Sequence, residues 1–99
     1  MTRQNLDNGT WFDRSAATEY TEDTWWDGKN HISKATGSQW DHEELYKTAK
    51  GKWVKRWWSQ WQGSGESWEI ISEKAAYTWL IKNGEPDAVP PEFLAAQEI

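Results

Sequence analysis

The segment KGKWVKRWWSQWQGSG, residues 50–65, decides how this chain is read. It places Trp53, Trp57, Trp58 and Trp61 among Lys50, Lys52, Lys55 and Arg56. On a strand, alternate side chains share a face. Trp53, Lys55, Trp57, Ser59 and Trp61 would then point one way, and Val54, Arg56, Trp58 and Gln60 the other. On a helix, positions 53, 54, 57, 58 and 61 would form a single apolar stripe. The segment is short, lies between Gly51 and Gly63, and is crowded with rings whose χ1 freedom a helix restricts. Such residues suit a pleated surface better, and the strand is the reading adopted.

Outward from this segment, aromatic and β-branched runs alternate with Gly, Asn, Asp and Ser, the pattern of short antiparallel strands. Strands are expected in EYTEDTWW (19–26), HISKA (31–35), TGSQW (36–40), EELYKTA (43–49), KWVKRWWSQ (52–60) and SWEII (67–71). Turns are expected at DGKN (27–30), KGK (50–52) and QGSG (62–65). SEKAAYTWLIKNG (72–84) has the marks of a helix. Ser72 can cap its N-terminus, Glu73 and Lys82 suit the two ends of its dipole, and Gly84 can take the left-handed position after it. PEFLAAQEI (91–99) can add a last helical turn with Pro91 in the first position. The expected fold is α+β: a small twisted antiparallel sheet of roughly three to five strands packed by one C-terminal helix. Residues 1–10 read as a flexible leader, 11–84 as the single domain, and 85–99 as a tail with a short helix.

Composition makes the tryptophans structural as well as decorative. Leu, Ile, Val and Phe together number only 13 of 99 residues, and the net charge is −5. That balance alone would suggest disorder. Ten tryptophans and three tyrosines reverse it, because each large ring can bury roughly 150–250 Å². At least half of the tryptophans are expected in the core. There is no cysteine, so neither a disulfide nor a thiolate zinc site staples the fold. No apolar run reaches the length of a membrane span, and the opening MTRQNLDNGT lacks the apolar region of an export signal. A cytoplasmic setting without membrane contact is expected.

Charge is segregated. Residues 1–46 carry four basic and nine acidic side chains, 47–56 carry five basic and none acidic, and 57–99 carry two basic and seven acidic. One positive island therefore sits in an acidic chain.

The functional expectation follows from the strand reading. Both faces of 53–61 mix rings with a cation, and one helix can shelter only one face. The row Trp53, Trp57 and Trp61 is expected to stay at least partly exposed, with Lys55 between its first two rings. Trp53, Lys55, Arg56, Trp57, Gln60 and Trp61 are the candidate binding residues. Such a face suits a protein partner, since aromatic and arginine side chains dominate interface hot spots. The leading expectation is a small non-enzymatic protein-binding or regulatory module, for example a phage- or plasmid-borne inhibitor of a host protein. A homodimer could hide the same row. One alternative is single-stranded nucleic acid, with bases stacked on Trp and phosphates met by Lys47, Lys50, Lys52, Lys55 and Arg56; the overall acidity opposes it. A second is carbohydrate, whose flat apolar faces stack on indole. A variant of the protein-binding reading presents Asp41, Glu43 and Glu44 with Glu66, Glu69 and Glu73 as mimics of a phosphate backbone.

Catalytic signals are sparse. His42 lies in DHEE (41–44), where carboxylates could tune an acid or base, but the segment is not a zinc-binding HExxH. His31 stands at an expected strand start. No nucleophile elbow, phosphate loop or dinucleotide fingerprint is present, so no enzyme activity, cofactor or metal is expected. The stretches TGSQWDHEELYKTAKGKWV (36–54) and SQWQGS (59–64) look like small accessory proteins of bacteria and their mobile elements. That resemblance implies a prokaryotic setting and no particular activity.

Overall fold

The computed structural model describes residues 1–61, 63 and 65–99. The described residues form eight strands, β1 (Arg3–Asn5), β2 (Trp11–Asp13), β3 (Thr18–Thr21), β4 (Thr24–Trp26), β5 (His31–Ser33), β6 (Asp41–Lys47), β7 (Trp53–Ser59) and β8 (Ser67–Ile71). Two α-helices follow, α1 (Glu73–Lys82) and α2 (Pro91–Ala96). All strand pairings are antiparallel, so this is a small α+β fold with one main helix near the C-terminus.

The tryptophan-rich segment is strand β7, at the heart of a four-stranded sheet ordered β3-β6-β7-β8. Its register with β6 runs from Lys47 opposite Trp53 to Asp41 opposite Ser59. The turn between them is closed by Thr48 N–H to Lys52 O at 2.8 Å and Gly51 N–H to Thr48 O at 2.9 Å. Gly51 has φ +83°, a left-handed conformation that glycine adopts without a Cβ clash. β8 pairs with β7 from Trp53 opposite Ile71 to Trp57 opposite Ser67. The loop expected at 62–65 includes Gln62 and Ser64, which lie outside the described residues.

The single strand expected over 19–26 is two strands, split at Glu22 and Asp23. Both residues are committed elsewhere. Glu22 Oε1 accepts the Glu43 N–H at 2.7 Å, and Asp23 N–H is bonded to Asn83 Oδ1 at 3.0 Å. The chain therefore leaves the main sheet and forms a separate β4–β5 hairpin. TGSQW is not a strand; Ser33 Oγ, Thr36 Oγ1 and Ser38 Oγ all accept local N–H groups there, and this side-chain bonding holds tight turns.

Alternation gives the main sheet two faces, and both are covered. On one, Leu45 and Trp53 pack with Ala76, Trp79 and Leu80 of α1 and with Val89. The helix is delimited as its sequence implies: Ser72 Oγ accepts the Ala75 N–H, and Gly84 follows with φ +78°. Asn83 is buried at its end and donates to Trp79 O at 2.8 Å while holding Asp23. On the other face, Tyr46, Val54 and Trp68 pack with Leu6 and Phe12. This second cover is the β1–β2 hairpin, in which Gln4 lies opposite Phe12. Residues 1–10, expected as a leader, thus carry β1 and a core leucine. Asp7 fastens them to the edge of β8, its N–H to Trp68 O at 2.9 Å and its Oδ2 to Trp68 N–H at 3.2 Å. The premise that only one face is sheltered is thereby corrected.

Candidate functional site

The six candidate residues on β7 and just beyond it do not form one surface. Trp53 is only 3% exposed. Its ring meets Tyr20 at 6.1 Å and the edge of Tyr77 at 6.0 Å, with Lys47 Nζ above it at 5.4 Å. Lys55 is drawn into ion pairs with Glu43 at 3.5 Å and Glu69 at 3.3 Å. Arg56 binds Glu44 at 3.0 Å and Glu66 at 2.8 Å, and its guanidinium lies 4.4 Å over Trp58 and 5.3 Å over Trp68. Trp57 is half-buried, whereas Gln60 and Trp61 are exposed. The faces alternate as expected, but layers on both sides consume the middle of the strand.

Charge in the island is correspondingly neutralised. Glu43, Glu44, Glu66 and Glu69, expected as parts of an acidic display, are the partners of Lys55 and Arg56. Cross-strand neighbours on one face meet at short range, and the register puts Glu44 opposite Arg56 and Lys55 opposite Glu69.

Around Arg56 the second face carries a connected polar layer. Tyr46 Oη donates to Glu44 Oε2 at 2.6 Å and accepts from Arg14 Nη2 at 3.1 Å. Glu66 Oε1 accepts the Trp68 indole N–H at 3.1 Å. Burial works against the Glu44 carboxylate, but bonds from Glu19 and Tyr46 and the charge of Arg56 prevail and hold its pKa below the ordinary value. Glu19, diagonal to Glu44, is pushed up, first by its hydrogen bond to the Glu44 carboxylate and then by burial. Burial, then the bond to Glu44, raises the Tyr46 phenol well above its usual value. These groups lock the sheet to the β1–β2 side; their charges face one another.

His42 has a similar structural setting. Its Nδ1 lies 2.9 Å from Glu22 Oε2, its ring lies 5.4 Å from Trp58, and its Nε2 is buried without a partner. Since Glu22 also holds the Glu43 N–H, the pair pins the chain leaving β3 against β6. Among the described residues, no cluster of three or more His, Asp or Glu side chains is arranged to hold a metal ion.

Five indoles are exposed, Trp11 on β2 and four others. Trp25, Trp26, Trp40 and Trp61 are 50%, 58%, 40% and 60% exposed. Trp40 and Trp61 stand at the end of the main sheet where β6 starts and β7 stops, and Trp25 and Trp26 lie on the separate β4–β5 hairpin that follows β3. Trp40 and Trp61 pack with centroids 5.0 Å apart and their planes tilted by 43°. Their backbone is fixed because Gln60 N–H reaches Trp40 O at 2.9 Å, one step beyond the β6–β7 ladder. Ser38 Oγ takes the Trp40 N–H and Ser59 Oγ the Trp61 N–H. Trp25 and Trp26 project from the β4–β5 hairpin, with Trp26 against His31 at 5.1 Å. The hairpin is tied at its tip by Asp27 Oδ1, which accepts the Lys29 and Asn30 N–H groups. Its base is tied by Lys34 N–H to Asp23 O and by the Lys34–Asp23 ion pair at 2.8 Å. Sequence reasoning included Trp61 and Gln60 but missed Trp25, Trp26 and Trp40. A WW pair on a short strand was the available signal, since adjacent residues face opposite ways and a two-stranded ribbon has little with which to cover both.

A scan of family models gives no match for this chain, and neither curated proteins nor solved structures match it significantly. Among the described residues, no helix is long and apolar enough to cross a membrane.

Proposed function

We propose that this protein is a small non-enzymatic binding module that engages another protein through the aromatic end of its sheet. Trp25, Trp26, Trp40 and Trp61 are the contact side chains, with Gln60 beside them. The observation that carries the reading is the exposure of these four rings outside both cores, on backbone held by hydrogen bonds. Large rigid side chains bind with little loss of conformational freedom, which is why tryptophan recurs at interface hot spots. The net charge of −5 favours a partner of positive potential. Nucleic acid is disfavoured by the overall acidity and because Lys55 and Arg56, two of its five expected phosphate contacts, already hold carboxylates.

The test compares wild type with two double variants, Trp25→Ala/Trp26→Ala and Trp40→Ala/Trp61→Ala, each shown by urea denaturation to remain folded. Quantitative affinity capture from a bacterial lysate is expected to yield a stoichiometric protein partner with wild type and at least tenfold less with either variant, as loss of hot-spot rings implies. Undiminished capture by both folded variants, or no partner above control, refutes the reading. Light scattering of wild type that gives a dimer dissolved by these substitutions assigns the surface to a second copy of the chain. Fluorescence quenching by oligo-dT or by soluble oligosaccharides, in place of protein capture, overturns the protein-binding reading.

A further inference from the structure

At the opposite end of the sheet lies a cavity of about 340 Å³. Phe12, Val54 and Ile70 line it together with Trp11, and Lys50 and Lys52 of the β6–β7 turn stand beside it. Two of these residues are unusual. Trp11 and Ile70 are 45% and 46% exposed although they border an apolar cavity. The cavity thus continues the second core outward to the surface rather than closing over it.

The edge of β8 runs along this cavity. Trp68 turns its N–H and C=O away from β7, because Asp7 bonds both. In an antiparallel ladder, residues two apart turn their backbone groups the same way. Ile70 therefore directs its N–H and C=O to the same open edge, just beyond the point where Asp7 ends its pairing. No hydrogen bond to them is found among the described residues outside the ladder. An extended chain can dock there through main-chain bonds, as in strand addition.

Charge tells which part of a chain fits. Lys50 and Lys52 have no ionic partner among the described residues, in contrast with Lys34, Lys55 and Arg56. Arg3 lies 5.0 Å over the Trp11 ring that forms one wall. In a chain of net charge −5, two lysines lining one cavity mark a place for an anion. Asp13 also borders the cavity; its Oδ1 accepts the Ser15 Oγ hydroxyl at 2.6 Å and the Thr2 and Ser15 N–H groups, and its single negative charge leaves the two lysines in excess.

We propose that this cavity receives the C-terminal end of a polypeptide, with an apolar last side chain inside it, the free carboxylate between Lys50 and Lys52, and the backbone beside Ile70. The site is separate from the aromatic end and does not depend on the reading given to it. The requirements are joint. An apolar side chain alone leaves two lysines unanswered, and a fatty acid leaves the Ile70 N–H and C=O unpaired.

The experiment titrates the full-length protein by calorimetry, and by amide chemical shifts at Trp11 and Ile70, with acetylated pentapeptides ending in Leu, Ile, Val, Phe, Ser or Asp. Binding by at least one apolar-ended peptide is expected, with about tenfold or greater loss on C-terminal amidation or in Lys50→Gln/Lys52→Gln, since charge-assisted bonds are the strong ones. Ile70→Glu, at a half-exposed position, is expected to abolish binding without unfolding. The folded Trp40→Ala/Trp61→Ala variant is expected to bind the peptides like wild type, which separates this site from the aromatic end. Three results overturn the proposal: no saturation by any peptide at millimolar concentration, equal binding of acid and amide, or octanoate binding as tightly as the best peptide.

Discussion

Replacing Trp53 and Trp61 in turn by alanine separates a core ring on β7 from a surface ring two residues past its end. Trp53 is 3% exposed and packs against Leu45, Tyr20 and the helix side chain Tyr77. A ring burying roughly 150–250 Å² at about 25 cal/mol per Å² contributes at most about 4–6 kcal/mol. Measured truncations of buried tryptophan cost about 3–5 kcal/mol. Trp61 is 60% exposed, and its alanine variant forfeits mainly the tilted ring contact with Trp40, about 0.5–1.5 kcal/mol. Domains of this size are stable by about 5–15 kcal/mol. Trp53→Ala is therefore expected to lose about a fifth or more of that stability, and Trp61→Ala only a small part. Urea denaturation followed by far-UV circular dichroism measures both through the midpoint at constant slope. The reasoning fails if Trp53→Ala costs less than about 1 kcal/mol, or if Trp61→Ala costs the more of the two, because the face would then not be sealed by α1 as described.

Three further outcomes follow from the polar layer. Arg56→Ala strands Glu44, which is 9% exposed, and is expected to cost about 2–4 kcal/mol in urea denaturation. Adding Glu44→Gln should recover much of that loss, and a double variant no more stable than Arg56→Ala would show that the pair is not coupled. Stability should also fall in acid: Glu44 and Glu66 are held below their usual 4.5, so their contribution is present above that value and is lost as pH drops through their lowered folded values. Glu19 has the opposite sign. Its raised pKa means that its protonated form favours folding, a contribution lost as pH rises through the folded value. Glu19→Gln is thus expected to raise the thermal midpoint at pH 7 more than at pH 4, and the reverse ordering would contradict the Glu19–Glu44 arrangement.

Local rules carried much of the chain. The β8 segment SWEII, the β7 strand and the helix cap at Ser72 were legible because each depends on neighbours in sequence. Alternation assigns faces, a hydroxyl reaches an N–H three residues on, and Gly84 accepts a positive φ. The break at Glu22 and Asp23 was not legible, because the groups that draw those residues out of the sheet are Glu43, His42 and Asn83. Nor was the role of residues 1–10, whose only strong apolar residue beyond the start is Leu6; its value comes from meeting Phe12, Tyr46, Val54 and Trp68.

By itself, then, the sequence determined that tryptophan contributes to this core and that a basic segment interrupts an acidic chain. The expectation that at least half of the rings lie in the core was too high, since only Trp53, Trp68 and Trp79 are buried and five of the ten are exposed. Which indoles are sealed and which remain outside was a matter of long-range assembly. Trp53 and Trp61 share a nominal strand face and the same chemistry, yet helix side chains pack over one, while the other lies past the end of β7 against Trp40. Burial depends on what arrives from elsewhere in the chain, and no local pattern records that arrival.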